Sequence, residues 1–122
     1  MTCFFQQSTG NSSRNGRFIV KGYAGKGPGK FNPNMEGTPD VGPLPRAEYV
    51  ITWHPFHHPH TGGCSIRLQL DPKNNMFDRS GFLIHGDSVK HPGQASNGCI
   101  ILPLPVRQQI WSSGDNQVEV VG

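Results

Sequence analysis

Residues 82–102 read Phe-Leu-Ile-His-Gly-Asp-Ser-Val-Lys-His-Pro-Gly-Gln-Ala-Ser-Asn-Gly-Cys-Ile-Ile-Leu. An apolar run delivers His85 at its end, a polar loop follows, and Ser96-Asn97-Gly98-Cys99 opens a second apolar run. A thiol is a strong nucleophile only as thiolate, and a His at an adjacent strand end is a suitable acceptor for its proton. Gly98 lets the backbone come close to a substrate, and main-chain N–H groups around Gly98 and Cys99 could then hold a tetrahedral oxyanion. His91, later in the loop, is a rival base on a less rigid segment, and Asp87 and Lys90 would shape the loop and the charge of the cleft. A plainer reading of the same residues stays open. Free Cys is often a buried small hydrophobe, and a strand-end His is often a hydrogen-bonded core residue.

A second group of chemically capable residues is Trp53-His54-Pro55-Phe56-His57-His58-Pro59-His60, with Cys64 shortly after. Imidazoles and a thiolate suit Zn²⁺. Pro55 and Pro59, however, break the helical spacing that many metal pairs use, and no Cys-x-x-Cys occurs. The tract reads better as a substrate-facing or partner-facing loop, with His57 or His58 bordering the cleft, Cys64 in a buried strand, and Cys3 in a frayed terminus. Ala24-Gly25-Lys26-Gly27-Pro28-Gly29-Lys30-Phe31 has the look of a phosphate-binding loop but lacks its first Gly and its Ser or Thr after the Lys, so it reads as a glycine-rich turn.

Elements must position these groups. Arg17–Tyr23, Glu48–His54 and Cys64–Leu70 read as strands from their β-branched, aromatic and alternating residues. Phe82–His85 and Cys99–Leu102 read as short central strands buried on both faces. One helix is expected after Leu104, with Pro105 in its first turn, Val106 and Ile110 on one face, and Gly114 beyond its end. Arg107 on that helix is either a carboxylate binder or a solvated residue. Gln117–Val121 is expected as the last strand, residues 24–46 as a long Gly- and Pro-rich loop of the functional kind, and residues 1–16 as an N-terminal extension or first edge strand before a domain at 17–122.

The chain has 122 residues, sixteen of them Gly and eleven Pro, with only 16% charged. That length suits one domain, and the composition opposes a helical bundle and favours a mainly β domain with turn-dense loops. The net charge of +3 comes from scattered Lys and Arg. Without a basic stripe, nucleic-acid binding gains no support. No stretch has the ~18 apolar residues of a membrane span, and the N-terminus lacks the basic and apolar regions of a signal peptide. Three cysteines are an odd count, so a monomer keeps at least one free thiol.

Ile84-His85-Gly86 with Ser96-Asn97-Gly98-Cys99-Ile100 resembles the active-site signature of the L,D-transpeptidase family, a strand-end His followed after a loop by Ser/Thr-His-Gly-Cys. Gly42-Pro43-Leu44-Pro45 entering Arg46–Ile51 resembles that family's Gly-Pro-hydrophobic-Pro turn. Residues Gly22 to Pro33 are similar to a Gly-Tyr-x-Gly-x-Gly-x-Gly-Lys-x-Asn-Pro segment of its small branch of antibacterial type VI secretion effectors. The resemblance covers about Gly22 to Val121. It implies a mainly β, L,D-transpeptidase-like fold, a β-sandwich or barrel-like sheet with one short helix. It also implies a catalytic Cys99 with His85 as base, and oxyanion or substrate contacts from Gly98, Asn97, Ser96, Gly86, Asp87 and His91, with no metal and no cofactor. The implied substrate is the peptidoglycan stem tetrapeptide, cut or exchanged at its terminal D-alanine. The implied route is synthesis without a signal peptide, export by a secretion apparatus and action in a target bacterium's periplasm, with a cognate immunity protein in the producer. Asn97 stands where the family has His, Ile101 where it often has Arg or Asn, and the His85–Ser96 loop is short, which weakens cross-linking more than thiol chemistry. The alternatives are a non-catalytic wall-binding domain that keeps the fold, and a zinc-dependent peptidase.

Overall fold

The structure is a computed structural model and describes residues 2–70, 76–77 and 79–122. In chain order the strands are β1 (Thr2–Gln6), β2 (Asn11–Arg14), β3 (Arg17–Lys21), β4 (Tyr23–Ala24), β5 (Ala47–Val50), β6 (Phe56–His58), β7 (Gly62–Arg67), β8 (Gln69–Leu70), β9 (Leu83–His85) and β10 (Ile100–Ile101). The helix α1 (Leu104–Ser112) follows, and β11 (Gln117–Val121) closes the chain. The strands form a six-stranded sheet ordered β3-β2-β1-β11-β5-β8 and a five-stranded sheet ordered β4-β10-β9-β7-β6. The pairs β1–β11 and β9–β10 are parallel, and the others are antiparallel.

The core gathers Phe5, Tyr49, Val118 and Val120 from the six-stranded sheet with Ala24, Ile66, Ile84 and Ile100 from the other. Ile66, Ile84 and Ile100 are almost wholly buried, and each such side chain stabilises the fold by about 1.5–3 kcal/mol relative to exposure. Ile110 and Val106 on one face of α1 pack on the same core. Since side chains alternate along a strand, a core-facing Ile84 and Ile100 turn His85 and Ile101 to the outer face.

Three expected strands come out shorter or divided. The Arg17–Tyr23 strand splits at Gly22, whose N–H donates to the Gly10 carbonyl at 2.7 Å, so β3 joins one sheet and β4 the other. The Cys64–Leu70 strand divides in the same way at Leu68, and the Glu48–His54 strand ends at Val50. Residues 1–16 are not an edge. They supply β1 and β2, with β1 lying between β2 and β11. Cys3, expected in a frayed end, is 5% exposed within the core.

The long Gly- and Pro-rich loop is tied down by hydrogen bonds. Glu36 accepts from the Arg46 main-chain N–H at 2.8 Å and from its guanidinium. Tyr49 donates to the Pro45 carbonyl at 2.7 Å. Leu44 N–H donates to the Gly98 carbonyl at 2.9 Å. The Gly-Pro turn and the cysteine loop, far apart in sequence, are thus hydrogen-bonded to each other.

Candidate active site

The register of β9 and β10 builds the site. Ile100 lies opposite Ile84 and Ile101 opposite His85, which brings Cys99, in the bend just before β10, to the start of β9. The Cys99 sulfur accepts from the Leu83 N–H at 3.3 Å. His85 Nδ1 lies 2.8 Å from the Gly86 carbonyl. A carbonyl can only accept, so the neutral ring carries its proton on Nδ1 and its lone pair on Nε2. The thiol sits beside the start of β9 and the imidazole at its end, with no direct hydrogen bond between them among the described residues; catalytic pairs are often loose before a substrate tightens them.

Burial acts on the two groups in opposite senses. It pushes the Cys99 thiol up, against the pull of the Leu83 N–H and the Arg79 charge. It pushes the His85 imidazole down, aided by the charges of Arg107 and His58 and opposed by the Gly86 hydrogen bond and Asp87. At neutral pH the resting pair is therefore thiol and neutral imidazole, the protonation states a general-base step needs. His85, itself 3% exposed, lines an open cleft of about 630 Å³ with Gly86, Asp87, His91, His60 and Thr61.

Residues 19–121 match the Tlde1 domain. The chain belongs to the Tlde1-domain family. This is a family of type VI secretion effectors. The fold of this Tlde1 domain is that of L,D-transpeptidases. A crystal structure of an L,D-transpeptidase from Stackebrandtia nassauensis superposes with a TM-score of 0.55 at 15% identity, over 99% of this chain and 55% of that one. L,D-transpeptidase 1 from Mycobacterium tuberculosis superposes with a TM-score of 0.53 at 16% identity, over 99% of this chain and 61% of that one. The chain therefore spans little more than half of the solved structures it is similar to. No curated protein matches it by sequence.

Within the Tlde1 domain the remaining expected residues divide by what they touch. Ser96 is fully buried, and its hydroxyl accepts from the N–H groups of Gly25 at 2.9 Å and Gly98 at 3.0 Å while donating to the Cys99 carbonyl at 2.6 Å. It organises the loop and has no face toward a substrate. The Gly98 N–H is committed to Ser96, which moves the oxyanion expectation onto the Cys99 N–H. Gly98 itself sits at φ +135°, where an added Cβ would fall 2.5 Å from Arg79 Nη2 and 3.1 Å from the Phe82 ring. Asn97 is exposed and offers its carbonyl to Arg79 at 3.2 Å. Asp87 accepts from Tyr23 at 2.6 Å, Ser88 N–H at 2.8 Å and Gly93 N–H at 3.0 Å. Those donors and the Lys30 charge outweigh desolvation and hold its carboxyl below the usual range, and its tie to Tyr23 braces the loop after His85. His91 is exposed on the cleft rim, its N–H on the Ser88 hydroxyl at 3.0 Å.

The histidine tract forms β6 and the turn after it, and its last residue, His60, lines the cleft with Thr61, whereas His57 and His58, expected at the border, are not among the lining residues. Among the described residues no three His, Cys, Asp or Glu side chains converge as metal ligands. Cys64, expected as a buried strand residue, is half-buried at φ +54°. Arg107 is not solvated. It is 6% exposed and donates to the carbonyls of Leu102, Gly63 and Cys64 at 3.0 to 3.1 Å. Arg79 escaped the sequence reading entirely. It is 7% exposed, donates to the carbonyls of Glu36, Pro43, Gly42 and Asn97, and stands over the Phe82 ring. Its guanidinium clamps the Gly-Pro turn to the cysteine loop and supplies positive charge near the thiol. A lone Arg in sequence carries no mark of such a role.

Proposed function

We propose that this Tlde1-domain chain is a cysteine-dependent peptidoglycan enzyme that removes the terminal D-alanine from stem tetrapeptides. The observation that supports it is Cys99 leading into β10 with its sulfur on the Leu83 N–H, and His85 ending β9, the parallel neighbour of β10, with the imidazole neutral and the thiol protonated. His85 Nε2 takes the thiol proton as the sulfur attacks the carbonyl at the L-centre of diaminopimelate. The S–C bond forms, and the developing oxyanion is met by the Cys99 N–H. Collapse breaks the C–N bond, and the imidazolium returns the proton to the D-alanine amine as it leaves. Water then attacks the thioester with His85 as base, releasing a tripeptide stem, and a D-amino acid entering in place of water gives exchange instead.

Delivery into the periplasm of a target bacterium, by way of a secretion-apparatus partner, and a cognate immunity protein in the producer belong to the same proposal. The effector family supports them. The competing reading is a wall-binding domain that keeps the fold without turnover.

The test is D-alanine release from a disaccharide tetrapeptide by the purified chain. The proposal expects release that Cys99→Ala lowers by at least about a thousandfold and His85→Ala by about a hundredfold or more. Iodoacetamide should abolish it and a chelator should leave it intact. Binding without release would sink the enzyme reading, and loss to the chelator with resistance to alkylation would favour zinc.

A further inference from the structure

Beside the His85 cleft, across the wall made by Gly86 and Asp87, lies a second groove. It has about 660 Å³ of empty space and is lined by Lys21, Gly22, Tyr23, Ile101, Leu102, Pro103, Leu104 and Arg107. Its floor holds a buried cation with one free arm. Arg107 spends Nε on the Leu102 carbonyl and Nη1 on the carbonyls of Gly63 and Cys64, and no described residue accepts from its Nη2. Gly86 leaves that nitrogen uncovered, since a Cβ there would stand 2.7 Å from it. The exposed Lys21 on β3 adds a second positive charge at the rim. Asp87 is the one acidic residue lining the groove, and its oxygens are occupied by Tyr23, Ser88 and Gly93.

We propose that Arg107 Nη2 and Lys21 form a carboxylate-binding subsite for the side-chain carboxylate of the diaminopimelate residue whose carbonyl Cys99 attacks. The choice of that carboxylate rests on the proposed function and on length. Cys99 sulfur meets the N–H of Leu83, and Arg107 Nη2 lies against Gly86, three residues on, or about 10 Å along the strand. The carboxylate of the departing D-alanine stays within about 4 Å of the scissile carbonyl and cannot reach. The diaminopimelate side chain can. From the attacked carbonyl carbon to that carboxylate run six C–C bonds, about 7.5 Å when extended, and a charge-assisted hydrogen bond of about 2.8 Å closes the gap.

The subsite is read by binding, independently of turnover. The full chain carrying Cys99→Ala is titrated calorimetrically with a disaccharide tetrapeptide, and with the same compound amidated at the side-chain carboxylate of diaminopimelate. The expected result is about tenfold or more weaker binding of the amide, as loss of a charged hydrogen bond to a buried Arg implies. Lys21→Ala, a surface change that leaves the core untouched, should weaken the free acid about threefold and leave the amide unchanged. Equal affinity for acid and amide, a loss caused only by amidating the γ-linked glutamate, or no binding of either compound would overturn the subsite. If the wild-type chain releases no D-alanine while the acid and amide still differ in this way, the enzyme reading fails and the subsite stands.

Discussion

His85 is the base of the proposed mechanism, and the burial that keeps its imidazole neutral gives that role a measurable signature. Burial, Arg107 and His58 hold its pKa below the ordinary imidazole value, near 6.5, so the imidazole stays unprotonated as pH falls through that value. The acid limb of kcat/KM for D-alanine release should lie below pH 6.5. A limb above it would contradict the assignment. The same depression makes the folded state bind its proton later than the unfolded chain. Stability therefore declines as pH drops from about 6.5 toward the folded pKa, and His85→Asn should flatten that part of a pH series of urea melts. Ser96 carries a different expectation. Ser96→Ala would orphan two buried N–H groups, Gly25 and Gly98, at about 1–3 kcal/mol each, seen as a lower Tm together with lost activity. Cys99 and His85 stand out in the sequence because their types and their places beside short apolar runs point to chemistry. The bracing bonds of Ser96, the clamp made by Arg79 and the burial of Arg107 were not legible, because these side chains act on main-chain carbonyls and N–H groups distant in sequence, and such partners leave no local pattern.

Strands β9 and β10 are where the elements set the chemistry. Each is two or three residues long, and their parallel register sets where the Cys99 bend meets β9 and where His85 leaves it. The turn before β10 must hold that register, and Gly98 at φ +135° between Arg79 and Phe82 is the residue that permits it. Gly98→Ala forces both a strained backbone and a displaced guanidinium. It should cost about 1–3 kcal/mol or more in a urea melt and lower kcat more than it raises KM, because the thiol moves rather than the substrate cleft. An unchanged kcat would show that the turn does not set the sulfur. These two strands were readable from their apolar runs, as was α1 from Pro105 and the Val106–Ile110 spacing. The bends at Gly22 and Leu68 were not, because apolar alternation continues through a residue at which the chain changes sheet.

At the scale of the whole molecule, the first strand is what the sequence hid best. β1 pairs in parallel with β11, from Thr2 opposite Gln117 to Gln6 opposite Val121, and contributes Cys3 and Phe5 to the core. Short-range pattern cannot reveal a partner at the opposite end of the chain. Removing residues 1–16 would take away β1 and β2 and leave β3 without its neighbour. The truncated chain should lose its cooperative urea transition, whereas an unchanged midpoint would mean that residues 17–122 fold alone. The clamped Gly-Pro turn and the Ser96-braced loop hold the segment that carries Cys99, and the proposed function makes its sulfur the nucleophile and His85 the base. Mass spectrometry of tetrapeptide muropeptides incubated with the wild-type chain and with Cys99→Ala tests that claim most directly. The account predicts conversion to tripeptides, with release of D-alanine, by the wild type and none by the variant. Intact tetrapeptides with the wild type, or equal conversion by Cys99→Ala, would contradict it.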